Sequence, residues 1–201
     1  MRATDTRMEE HIKDTAKRIF FAEGRFHATP QEIAEAAGVT RTLLNYYFRS
    51  KETLFNLVLE QAHRDMERKM FLILDSGLPF KKKIEHFIEV FLAEHYAYPH
   101  VETFLMSQLN GKPDILASIF GKNSERSEKL KSLLVEIEKE MKKGAIQKTH
   151  PLQFMINLMS LMAHPPTMRP LLQTMMDISD KEFDRLLLER KEIIMELMFR
   201  K

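Results

Sequence analysis

A chain of 201 residues is long enough for one large domain or two small ones with a core of ordinary size. Its 44% hydrophobic and 30% charged content argues against both a disordered and a membrane-embedded chain, and no apolar run approaches the roughly 20 residues of a membrane span. There is no cysteine, which removes disulfides, thiolate metal sites and a cysteine nucleophile and suits a reducing cytoplasm, while a formal net charge of +2 is too small to point to nucleic acid by itself.

The polar and charged start, residues 1–10, does not read as a secretory signal. Thr6-Arg7-Met8-Glu9 has the form of a capping box, with Ile12, Ala16, Ile19 and Phe20 following at helical spacing and Gly24 as the stop. Thr29-Pro30-Gln31-Glu32 is a second capping box, with Pro30 at the first helical position, where a missing N–H costs little. Further helices are predicted over about 51–75, ending at Ser76-Gly77-Leu78-Pro79, over about 80–97, and over 100–109 before Asn110-Gly111-Lys112-Pro113. A segment from about 114 to 143 is interrupted near Gly121 and closes at Gly144. Segments near 151–163 and 167–177 flank His164-Pro165-Pro166, where two successive prolines should break a helix. Ser179-Asp180-Lys181-Glu182 caps one last helix. Strand signals are nearly absent. The expected fold is all-α, with a three-helix unit in residues 1–50 carried by the helix from Lys51 on a larger helical body, 51–201.

The informative stretch runs from Thr29 to Lys51. The helix at about 30–37 turns Ile33, Ala34 and Ala37 inward, Gly38 supplies a left-handed exit, Val39 plugs the turn and Thr40 caps the next helix. With Leu44 inward and a step of about 100° per residue, Phe48 falls on the same side, Thr42 and Tyr46 point away, and Leu43 and Asn45 lie beside them. This outward face carries groups able to reach base edges in a major groove. No acid occurs from Ala36 to Lys51, whereas Arg41, Arg49 and Lys51 are basic, so a phosphate backbone meets no like charge along that strip. A plain helical hairpin with Gly38 as an ordinary C-cap has the same spacing.

The run Ala37-Gly38-Val39-Thr40-Arg41-Thr42-Leu43-Leu44-Asn45-Tyr46-Tyr47-Phe48, continued by Arg49-Ser50-Lys51-Glu52-Thr53-Leu54-Phe55, closely resembles the signature of the TetR family of regulators. The resemblance covers about the first 60 residues and is specific, because turn, recognition helix and next helix start agree in register. It implies a homodimer whose N-terminal units read the half-sites of a double-stranded DNA operator, with a C-terminal body that binds a small molecule and the partner subunit. By matched position Tyr47 and Lys51 look like phosphate contacts, Thr40, Arg41, Thr42, Asn45 and Tyr46 like recognition-helix contacts, and Thr29 and Gln31 like backbone contacts from the preceding helix. Many members have Gly or Pro where Thr42 stands and Tyr where Asn45 stands, which leaves the operator sequence open.

The body is rich in methionine: ten of the chain's 14 lie beyond residue 100. Met66, Met70, Phe87, Phe91, Phe104, Phe120, Met159 and Met162 are candidates for an adaptable apolar effector pocket, and core packing explains them as well. The last helix carries a wide apolar stripe of Phe183, Leu186, Leu187, Ile193, Ile194, Leu197 and Met198. Leu152, Met155, Phe183, Leu187, Ile194 and Met198 are the candidate dimer interface, the alternative being burial within one subunit. Histidines 86, 95, 100, 150 and 164 form no His-x-x-x-His pair and no metal site is expected; nor is a cofactor or a catalytic constellation. The reading is a cytoplasmic repressor released from its operator by a small, largely apolar effector. The alternative is a DNA-anchored scaffold whose body binds another protein and no effector.

Overall fold

The computed structural model describes residues 2–101, 104 and 124–199. Within them the chain runs through α1 (Arg2–Lys17), a π-helical turn (Arg18–Ala22), α2 (Pro30–Ala36), α3 (Arg41–Phe48), α4 (Lys51–Asp75) and α5 (Phe80–Ala97). It continues through α6 (Ser124–Lys142), α7 (Pro151–Thr167), α8 (Arg169–Met176), α9 (Asp180–Leu188) and α10 (Arg190–Phe199). There is no strand among the described residues. The expected helix at 100–109, the breaks at Asn110–Pro113 and Gly121, and Phe120 fall largely outside them.

The chain divides into two compact units, one of Met1–Asp65 with Ala97–Gly121, the other of Met66–Tyr96 with Lys122–Lys201. In the first, Ile12, Ala16, Ile19 and Phe20 of the first helical stretch are fully buried, as their spacing predicts. They meet Ile33 and Ala34 of α2, Leu44 and Phe48 of α3, and Leu54, Val58 and Leu59 of α4. Each of the larger side chains, Ile, Leu, Val and Phe, contributes about 1.5–3 kcal/mol by leaving water. Phe21 is buried as well, so three consecutive side chains turn inward. The chain manages this by widening into the π turn, closed by Glu23 N–H to the Arg18 carbonyl at 3.0 Å. The rings of Phe20 and Phe21 then both face Phe55, at 4.8 and 5.7 Å between centroids.

The stop at Gly24 is as expected, with a φ of +67°. A start at Thr6 is not: α1 is already helical from Arg2, so Thr6 lies inside it. Thr and Glu three residues apart are also neighbours on a helix surface, and a Thr-x-x-Glu pattern marks a start only where the chain before it is not helical. Beyond α5, the His100 N–H donates to the Phe21 carbonyl at 3.1 Å and its ring packs over Gly24.

The second unit has its own core. Ile84, Ile88 and Leu92 of α5, Leu133 and Ile137 of α6, Phe154, Leu158 and Met162 of α7, and Ile194 and Met198 of α10 are buried together. α6 closes at Gly144, whose φ is +70°. Two expectations need correction here. The prolines at 165 and 166 do not end the helix, since α7 continues through both to Thr167. A proline at 165 deprives the Leu161 carbonyl of its helical donor. Arg190 supplies the missing donors, its Nε and Nη2 reaching Leu161 O at 3.1 and 3.0 Å. The last helix, in turn, is not one rod: it is broken at Glu189 into α9 and α10. Ser179 caps α9 by accepting the Glu182 N–H at 3.3 Å.

The positive-φ glycines separate conformational from steric cost. An added Cβ meets nothing within 4 Å at Gly38, where φ is +65°, but lies 2.9 Å from Nε2 of His100 at Gly24. Gly38→Ala is therefore expected to lose about 1 kcal/mol, from the left-handed backbone alone, and Gly24→Ala about 2 kcal/mol or more. Urea unfolding of both variants checks the order.

Candidate nucleic-acid interface

The step from α2 to α3 is set by hydrogen bonds that the sequence prescribes. Thr29 opens α2 with a complete capping box: its hydroxyl accepts the Glu32 N–H at 3.2 Å, and Glu32 Oε2 accepts the Thr29 N–H at 2.7 Å. α2 ends at Ala36 with Ala37 as its C-cap, Gly38 turns left-handed, and the Val39 N–H returns to the Ala34 carbonyl at 2.9 Å. Thr40 then caps α3, accepting the Leu43 N–H at 3.2 Å. Buried Leu44 and Phe48 anchor α3 on the core, and partly buried Val39 packs against the same cluster. Arg49, with a φ of 43°, leaves α3, and Ser50 opens α4 by accepting the Thr53 N–H at 3.1 Å.

Anchoring by Leu44 and Phe48 fixes what α3 shows to solvent. Arg41, Thr42, Asn45 and Tyr46 are exposed, Tyr46 by 74%, its ring edge-on to Tyr47 at 5.3 Å. Thr29 and Gln31 are exposed at the start of α2, while Tyr47 and Lys51 are half-buried. The predicted DNA-contact residues thus lie on the solvent side of α3, at the start of α2 and at the start of α4, all within the first unit.

Several of them already have partners. The Thr29 hydroxyl also donates to Glu32 at 2.8 Å, and Gln31 Nε2 donates to Glu35 at 2.7 Å. The Tyr47 hydroxyl donates to the carboxylate of Asp5. That bond, with desolvation and the nearby charge, pushes the phenol's pKa up to about 12. Burial lowers the pKa of Lys51, opposed by the charge of Glu32. The strip from Ala36 to Lys51 is acid-free along the sequence, but folding brings Asp5 to Tyr47 and Glu32 near Lys51.

Asp5 and His11 have no signal in the local sequence. Asp5 stands 42 positions from Tyr47, and His11 Nε2 lies 3.1 Å from the carbonyl of Ala37, 26 positions away, where it ties α1 to the end of α2. Ser50 was legible, since Ser50-Lys51-Glu52-Thr53 places a capping hydroxyl directly before a helix.

The effector candidates do not all come together. Met70, Phe91 and Met162 are buried in the second core, with Met66 and Phe87 packed against it. Phe104 belongs to the first unit, its ring 4.5 Å from Phe55, Met159 is 40% exposed, and Phe120 is outside the described residues. The dimer candidates also divide. Leu152 is exposed and Met155 half-buried, whereas Phe183, Leu187, Ile194 and Met198 are buried within the chain. The other side of the same helices carries exposed Leu186, Leu188, Ile193 and Leu197, and α7 shows Leu152, Ile156 and Met159 at helical spacing.

A tri-helical unit with a capped left-handed turn and an exposed polar-aromatic second helix has the architecture of a helix-turn-helix regulator. The family model for bacterial regulatory proteins of the TetR family matches residues 12–58. The transcriptional regulator RutR of Escherichia coli K12 is 31% identical over 138 residues, covering 68% of this chain and 64% of RutR. AcrR of Shigella flexneri is 41% identical over 64 residues, 32% of this chain and 29% of AcrR. Among solved structures, a TetR/AcrR-family regulator from Thermobifida fusca superposes with a TM-score of 0.62 at 14% identity, covering 93% of this chain and 96% of that one. A TetR-family regulator from Marinobacter aquaeolei does so with a TM-score of 0.58 at 16% identity, covering 96% and 97%. Residues 12–58 thus match the TetR-family model, and the described chain shares the fold of TetR-family regulators. It spans 64% of the length of RutR, less than two thirds.

The capping box makes a pH prediction. Hydrogen bonds from the Thr29 backbone and hydroxyl hold the Glu32 pKa below its ordinary value. A depressed folded pKa stabilises above the unfolded value, and the contribution is lost as pH falls through the folded one. Wild type should therefore exceed Glu32→Gln in stability at neutral pH, with the gap closing below the ordinary carboxylate range. Thermal melts of both proteins between pH 7 and about pH 3 measure it.

Proposed function

We propose that this protein is a dimeric, operator-binding transcriptional repressor, released by a small and largely apolar effector. The observation that carries DNA reading is the exposed face of α3, with Arg41, Thr42, Asn45 and Tyr46 in solvent on a helix pinned from behind by Leu44 and Phe48. Asn45 suits bidentate pairing with adenine, Arg41 pairs with guanine or phosphate, and Thr42 offers a methyl and a hydroxyl. Thr40 lies at the start of the helix that enters the groove. Tyr47 and Lys51 reach the phosphates on one side, Thr29 and Gln31 on the other, and the α4 N-terminus adds backbone N–H groups beside Lys51.

The second unit supplies dimerisation and control in this reading. The dimer surface consists of Leu152, Ile156 and Met159 of α7 with Leu186, Ile193 and Leu197 of α9 and α10, which are otherwise apolar side chains left in water. The effector contacts Met66, Met70, Phe87, Phe91 and Met162, where unbranched methionines re-pack around a guest at low cost. Met66 and Met70 lie on α4, which begins at Lys51 beside the DNA-reading helix, so a guest that displaces α4 alters operator affinity.

Selection of bound duplexes from a random pool tests DNA reading directly. A two-fold-symmetric site is expected, and recovery of no enriched sequence contradicts the reading. On that site Lys51→Ala should weaken binding at least about tenfold and reduce the salt slope by about 1. For the dimer, Ile156→Asp with Leu197→Asp should give a folded monomer in sedimentation. An unchanged dimer would place the interface elsewhere.

A further inference from the structure

The Tyr47 hydroxyl has one proton, and in this structure it is given to Asp5. The same residue has the position and chemistry of a phosphate contact, which requires that proton to be donated outward. The two bonds exclude one another. Asp5 lies in the first turn of α1, and Glu9 follows one helical turn later, close enough for its charge to act on Tyr47 as well. Glu9 is partly neutralised by Lys13 at 3.1 Å. The carboxylate of Asp5 has no such ion pair among the described residues. A DNA phosphate arriving at Tyr47 therefore meets an occupied donor and an adjacent negative charge, although α2, α3 and the start of α4 otherwise present that side to solvent.

We propose that Asp5 is a built-in competitor for the operator phosphate: it holds the Tyr47 hydroxyl in the free protein and must release it when DNA binds, setting operator affinity below what the recognition helix alone would give. The inference rests on the DNA-reading function above. It concerns how tightly the site holds DNA rather than which bases it reads, since Asp5 accepts its hydrogen bond from Tyr47, the proposed phosphate contact. Its consequence is gain of affinity on removal of a polar residue, which loss of structure does not produce.

The test uses the full chain and one duplex taken from the random-pool selection, with a non-selected duplex of equal length alongside. Asp5→Asn keeps an acceptor but removes the charge; Asp5→Ala removes both. Both are expected to tighten binding, Asp5→Ala more, by about threefold to tenfold at low salt and by similar factors on either duplex. Tyr47→Phe alone should bind more weakly than wild type, and in that background most of the gain from Asp5→Ala should vanish. Circular dichroism verifies that α1 remains helical in each variant. Unchanged or weaker binding by both Asp5 variants overturns the proposal, as does an equal gain with and without the Tyr47 hydroxyl, which would make Asp5 a general surface charge. Absence of DNA binding by wild type overturns the DNA-reading function itself, a result distinct from either.

Discussion

The reading helix is placed by one backbone constraint, the left-handed residue between α2 and α3. Gly38 has a φ of +65°, and its turn sends Val39 back to the Ala34 carbonyl and leaves Thr40 extended, ready to cap α3. Everything downstream inherits that direction. Leu44 and Phe48 reach the core only if α3 leaves the turn at this angle, and only then do Thr42, Asn45 and Tyr46 share the solvent side. The capping boxes and the core do not compete for this geometry. The hydroxyls of Thr29 and Thr40 satisfy N–H groups at the helix starts while the alanines of α2 let α1 and α3 approach closely.

That agreement is why the first unit was legible from its sequence. Caps, turn glycine and apolar spacing are all local, and each specified the same structure, so Ile33, Ala34, Ala37, Leu44 and Phe48 were placed correctly. What was not legible depends on approach in space. Asp5 meets Tyr47 across 42 positions and His11 meets Ala37 across 26, and no periodicity connects such pairs. The acid-free strip illustrates the difference: real along the chain, it acquires Asp5 and Glu32 as neighbours once the helices pack.

The second unit was harder to read for the opposite reason, since its local signals were outweighed by packing. Each proline of the pair abandons the carbonyl four residues back, and Arg190 supplies donors to the first of these, that of Leu161, from 29 positions away. The burial that this requires lowers the pKa of its guanidinium. Arg190 is also the first residue of α10, directly after the break at Glu189. The break and the uninterrupted α7 are therefore connected: the guanidinium that supports the proline segment belongs to the helix that starts at the break. An apolar stripe wider than one face likewise has no single direction in sequence. Splitting the helix sends Phe183, Leu187, Ile194 and Met198 inward and leaves Leu186, Ile193 and Leu197 outward.

These placements bear on how a nearly neutral protein handles a polyanion. With a net charge of only +2, long-range attraction contributes little, and affinity has to come from contacts made at short range. Such contacts are few on one α3 of eight residues, which is why the proposed function invokes two copies related by symmetry. In that regime each hydroxyl and each nearby charge matters in proportion. A tyrosine donor tied to a carboxylate would be negligible on a strongly basic surface. Under the proposed function, it is one of a small number of terms that would decide how tightly DNA is held.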